Sequence, residues 1–204
     1  MMKQTNEYSG VYVKGHIKIH DPTSGEVLID KPNAIHYENM SIALAESLGN
    51  AGQGFIYEMA FGNGGTSVDP TGIITYLTPN STGTNASLYK ETFSKVVDDR
   101  SVNNLDPIRN KIETRHVSGT NYTDVYISCL LDYGEPDGQD AFDTATNTES
   151  LYVFDELGLK SYSPNGTGRL LTHVIFHPVQ KSLNRLIQID YTVRVQSLTG
   201  FSEG

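Results

Sequence analysis

The chain is short of the residues that most chemistry relies on. Its 204 residues include no tryptophan, one cysteine and only 15 lysines and arginines against 24 acids, giving a formal charge of −9. A lone Cys129 excludes an internal disulfide; set in an apolar strand pattern, it reads as a buried, inert thiol suited to folding in a reducing cytoplasm. The acidic balance and scattered cations oppose nucleic-acid binding, which needs a basic footprint to release counterions. Long hydrophobic runs are missing and mean hydropathy is −0.35, so no helical membrane span is expected. The first seven residues, Met1-Met2-Lys3-Gln4-Thr5-Asn6-Glu7, lack an apolar core of signal-peptide length.

What is present favours strands and loops: 19 glycines, 8 prolines and 12 tyrosines in a chain long enough for one domain. Alternation over Val11–His20, turn residues Asp21-Pro22-Thr23-Ser24-Gly25-Glu26 and a return through Val27–Asp30 predict a hairpin. Asn39 can cap a helix with an apolar side of Ile42, Ala43, Leu44, Ala45 and Leu48, ended by Gly49. Further strands are expected over Phe55–Phe61, Ile73–Leu77, Thr92–Val97, Lys111–Val117, Tyr122–Tyr133, Leu151–Phe154, Leu170–Phe176 and Leu186–Val195. His177-Pro178-Val179-Gln180-Lys181 reads as a basic link between the last two. The expected architecture is mainly β: an antiparallel β-sandwich of eight or nine strands over residues 11–196, with one short α-helix and long loops. Residues 1–10 and 197–204 read as flexible ends.

Each constellation that could carry chemistry has a simpler reading. His16 and His20 share a strand face, as do His173 and His177, but i and i+4 lie about 13 Å apart along a strand, too far for one metal ion to bridge. The carboxylates Asp132, Glu135, Asp137, Asp140 and Asp143 crowd one loop with oxygens that Ca²⁺ favours, yet their spacing misses the EF-hand pattern and Pro136 interrupts it. Gly62-Asn63-Gly64-Gly65 lacks the Lys-Ser/Thr that a phosphate loop requires, and a tight turn is the stronger reading. No Gly-x-Ser-x-Gly elbow occurs and Cys129 has no local base. No catalytic, metal or cofactor site is therefore expected. Tyr57, Tyr76, Tyr122, Tyr133 and Tyr162 could stack on sugars, which keeps a carbohydrate-binding β-sandwich module open.

Five short signatures, in one order, resemble a domain of tailed-bacteriophage virion proteins of the neck, collar and tail-appendage type. They are Lys31-Pro32-Asn33-Ala34-Ile35 with the helix ending at Gly49; Met59-Ala60-Phe61-Gly62-Asn63-Gly64-Gly65; Leu88-Tyr89-Lys90-Glu91-Thr92; Asp155-Glu156-Leu157-Gly158-Leu159; and Gly168-Arg169-Leu170-Leu171-Thr172-His173 through Pro178 and Lys181. The resemblance covers about residues 27 to 196. It implies a non-enzymatic virion component, folded and assembled in the host cytoplasm, whose partners are copies of itself in a symmetric ring and other neck, tail or fibre proteins. A capsid decoration protein is an alternative of the same kind. Within that reading two loops, 62–87 and 132–148, are expected to make inter-subunit contacts through Asn63, Asp69, Asn80, Asn85, Glu135, Asp137 and Asp140. Lys181, Arg185 and Arg194 are expected to meet the acidic loop of a neighbour.

Overall fold

The computed structural model describes residues 7–136, 151–166 and 168–201, and within them the chain is mainly β with a single helix. Strands β1 (Glu7–His20) and β2 (Val27–Ile35) form the expected hairpin, its turn closed by Asp21 Oδ1 accepting from the Thr23 and Ser24 amides and by Gly25 at φ +77°. Helix α1 (Tyr37–Leu48) follows. Then come β3 (Ile56–Gly62), the short pair β4 (Thr66–Val68) and β5 (Ile74–Tyr76), β6 (Glu91–Val96), β7 (Lys111–His116), β8 (Tyr122–Leu131), β9 (Leu151–Ser161), β10 (Thr172–Ser182) and β11 (Ile187–Phe201).

Nine strands make one antiparallel sheet in the order β6-β3-β9-β10-β2-β1-β11-β8-β7. Its two halves are joined by a ladder of only two residue pairs, Thr172 with Ile35 and His173 with Ala34. So narrow a seam lets the sheet curl, and one core is shared by both halves: Ile17, Ile19, Ile127, Leu131, Ile189 and Tyr191 from one meet Met59, Phe61, Phe154, Leu157 and Phe176 from the other. The edge strands β6 and β7 are consecutive in sequence, and the loop between them ties the curl. Lys95 Nζ of β6 donates to the Leu130 carbonyl at 2.7 Å, while Asn110 Oδ1 accepts the Leu130 amide at 2.8 Å.

Alternation made β11 readable: Ile187, Ile189, Tyr191 and Val193 are buried, with polar residues between them. It failed for β9, a central strand covered on both sides, where every residue from Phe154 to Leu159 is buried and the strand runs on to Ser161 rather than stopping at Phe154. His177–Lys181 is part of β10, not a link; a register shift between Ile175 and Val179 absorbs Pro178. The helix is capped by His36, whose Nδ1 accepts the Asn39 amide; Asn39 instead sits buried in the first turn and donates to the Leu170 carbonyl at 2.9 Å. Both expected flexible ends contribute to the ladder, with Glu7 paired to Phe201 and Gly10 to Leu198.

Candidate functional site

Two acidic residues in the middle of a central strand are the least expected feature of this core. Asp155 and Glu156 of β9 are 3% and 0% exposed. Burying a carboxylate is costly unless its oxygens are filled, and here they are. Asp155 Oδ1 accepts from the Gly65 amide at 2.9 Å, and Oδ2 from the Thr66 amide at 2.9 Å and the Thr66 hydroxyl. Glu156 Oε1 accepts from the amides of Lys90 at 2.8 Å and Gly64 at 3.1 Å; Oε2 accepts from the Tyr89 amide at 2.9 Å and His173 Nε2 at 3.0 Å. His173, also fully buried, takes the Asn80 amide on Nδ1 at 2.8 Å. That bond fixes the tautomer: Nδ1 is the acceptor, so Nε2 carries the proton given to Glu156.

The electrostatics follow from this geometry. Burial alone would push the Glu156 carboxyl up; the hydrogen bonds from His173 and from the Lys90, Tyr89 and Gly64 amides outweigh it and hold the group below the ordinary glutamate value. Close packing completes the arrangement. A Cβ on Gly64 would lie 2.8 Å from the Lys90 amide nitrogen, and one on Gly158 would lie 2.6 Å from the Thr172 carbonyl. Chemically, the trio is a fastener. Every carboxylate oxygen accepts at least one hydrogen bond from the chain's own donors, and both groups are buried.

Four of the five short signatures meet here. The glycine run supplies the Gly64 and Gly65 amides, Leu88–Thr92 supplies Tyr89 and Lys90, Asp155–Leu159 supplies both carboxylates and Gly168–His173 supplies the histidine. The first signature braces the back, where Lys31 Nζ donates to the Ile175 carbonyl at 2.8 Å and the His36 amide to the Leu171 carbonyl at 3.0 Å. What they hold is the excursion between β3 and β6. Its β4–β5 pair offers Val68, Ile73 and Tyr76 to solvent, each at least half exposed. Sequence reasoning treated the signatures as marks of resemblance and missed the site they build; the available signal was Asp155-Glu156, two acids interrupting an otherwise apolar central strand.

The expected contact residues are dispersed. Asn63 borders the fastener; the residue is half-buried, and its side-chain amide nitrogen and oxygen are buried without a hydrogen-bond partner. Asn80 belongs to it through its backbone and braces the loop through Nδ2 to the Ser87 carbonyl at 2.8 Å. Asp69 caps the β4–β5 turn, accepting from the Thr71 and Ile73 amides, and Asn85 is exposed. Glu135 lies elsewhere, paired with Lys95 and accepting the Asp132 amide; Asp137 and Asp140 lie outside the described residues. The three cations expected to meet a neighbour are engaged within their own chain. Lys181 is fully buried with Nζ on the Asp132 and Ser182 carbonyls, and burial pushes its ammonium down to about 8. Arg185 bridges Asp21 and Glu26, and Arg194 forks onto Asp124 above the Tyr122 ring.

The histidines do not converge: His16 faces Asp30, His20 faces Asp190 and His177 meets the Tyr76 hydroxyl. Among the described residues no group of three or more His, Cys, Asp or Glu is placed to share a metal ion. Cys129 is buried and its thiol is pushed up to about 12 by desolvation. Of the candidate stacking rings, Tyr57 and Tyr162 pack edge to face on each other and Tyr162 stacks on Phe55, while Tyr122 is covered by Arg194. No protein-family model, curated protein or solved structure matches the chain.

Proposed function

We propose that this chain is a non-enzymatic structural subunit of a tailed-phage virion, a component of a neck, collar or tail ring or an anchor for appendages. Its partners in this reading are copies of itself and adjoining virion proteins. The observation that carries it is the convergence of four of the five ordered signatures on one buried hydrogen-bond network whose product is a firmly held loop. An enzyme needs unfilled groups at its working centre, whereas an assembly module needs surfaces of fixed shape. The apolar residues Val68 and Ile73, carried out to solvent on a pinned hairpin, supply such a surface. Of the five tyrosines that could stack on sugars, Tyr57, Tyr122 and Tyr162 are covered by neighbours, while Tyr76 and Tyr133 are exposed.

The test is made on purified particles of the encoding phage. Mass spectrometry should find the protein at a fixed copy number, and Val68→Asp with Ile73→Asp should leave the subunit folded but reduce its incorporation at least tenfold. Absence from mature particles, or saturable glycan binding by the isolated chain, would overturn the reading.

A further inference from the structure

Among the described residues, one part of the sheet has no third strand beside it. β2 pairs with β1 only from Gly15 onward, and β8 reaches β11 only as far as Gln196. Beyond those points Val11 still pairs with Ser197 and the ladder continues for five pairs to Glu7 with Phe201. At about 3.3 Å per residue this two-stranded ribbon reaches roughly 16 Å past the body. Gly10, Val11, Tyr12 and Leu198 are all exposed; Val11 is 63% exposed, and a Cβ placed on Gly10 would meet nothing within 4 Å. An isolated two-stranded ribbon is marginal in water; Ser197 is still held by Asn121 through its amide and carbonyl, and beyond it no further strand among the described residues pairs with either outer edge.

The other two edges of the sheet are guarded by charge. β6 carries Glu91 and Lys95, and β7 carries Lys111, Glu113 and Arg115. Charged side chains on an edge discourage a further strand. The ribbon has one such guard, Glu7 at its tip: residues 8–13 and 195–201 contain no Asp, Glu, Lys, Arg or Pro and include three Val and two Tyr. In a chain of net charge −9, two copies repel one another over most of their surface, and this element, charged only at Glu7, is where that repulsion is weakest. An antiparallel edge is also complementary to itself across a two-fold axis, since the same residues supply both sides of the new ladder.

We infer that the ribbon formed by residues 7–11 and 197–201 pairs edge to edge with the same ribbon of a second copy. The partner is this chain itself, and the recognition is main-chain hydrogen bonding with apolar contacts from Val11 and Leu198. The inference rests on the assembly reading above and names the element that carries self-association.

Light scattering coupled to sizing tests it on the full chain, alongside Val11→Lys combined with Leu198→Lys and a second variant lacking residues 1–9. The wild type should run at an even multiple of 22.4 kDa and both variants at half the wild-type mass, with unchanged far-ultraviolet dichroism. A wild type at 22.4 kDa overturns this pairing and the ring reading together. A larger wild type whose mass neither variant changes overturns the ribbon alone.

Discussion

At the scale of single residues, the account turns on Glu156. Its carboxylate holds two loop segments and a histidine in place, so Glu156→Gln exchanges an acceptor for an NH₂ group facing N–H donors. A loss of about 3 kcal/mol is expected, in the range for breaking a buried charged network, read as a lower urea midpoint. The pH dependence has a definite sign. Because the folded carboxyl titrates below its ordinary value, its contribution is full above the ordinary glutamate range and fades as pH falls through the folded value. The Gln variant should therefore lose less stability than the wild type on acidification. Lys181 works in the opposite direction: with its folded value at about 8 against 10.5, the unfolded chain binds more protons in between, so its part of the stability rises with pH across that window. Lys181→Met should flatten the rise between about pH 8 and 9, below the range where the raised Cys129 thiol opposes it. Sequence showed Cys129 as an inert strand residue because its neighbours alternate; it could not show that Lys181 is buried, since long cationic side chains read as exposed whatever their partners.

At the scale of elements, what was legible followed from how many faces each strand buries. β1, β8 and β11 bury mainly one face and announce themselves by alternation, and the β1–β2 turn by its Asp, Pro and Gly. β9 and β10 are covered on both sides, which erases the period, and β10 also carries Pro178 at a register shift. The helix was visible from its apolar side, but its start was placed three residues late because a histidine rather than an asparagine caps it. The fastener was invisible for a different reason: its donors are backbone amides, which carry no residue identity, brought from positions 64–66, 80 and 89–90 to one strand. A direct consequence concerns Gly64. Gly64→Val would push a branched side chain into the backbone of Lys90, and the loop over 63–90 should come loose while the rest of the sheet persists. Limited proteolysis should then cut within that loop at least tenfold faster than in the wild type, with the thermal transition of the remaining body retained.

At the scale of the whole molecule, a curled sheet with a two-pair seam leaves three kinds of surface: charged edges, a pinned hairpin with apolar residues outward, and a ribbon charged only at Glu7. In the proposed assembly the first discourages strand pairing, and the other two carry the contacts. Underneath both stands the claim that the ordered signatures fasten a loop. Native-state hydrogen exchange of the amides of Gly64, Gly65, Thr66, Asn80, Tyr89 and Lys90 examines it most directly. Protection approaching that of the core strands, lost together in Glu156→Gln, is the predicted result. Exchange of these six at the rates of exposed loop residues would contradict it.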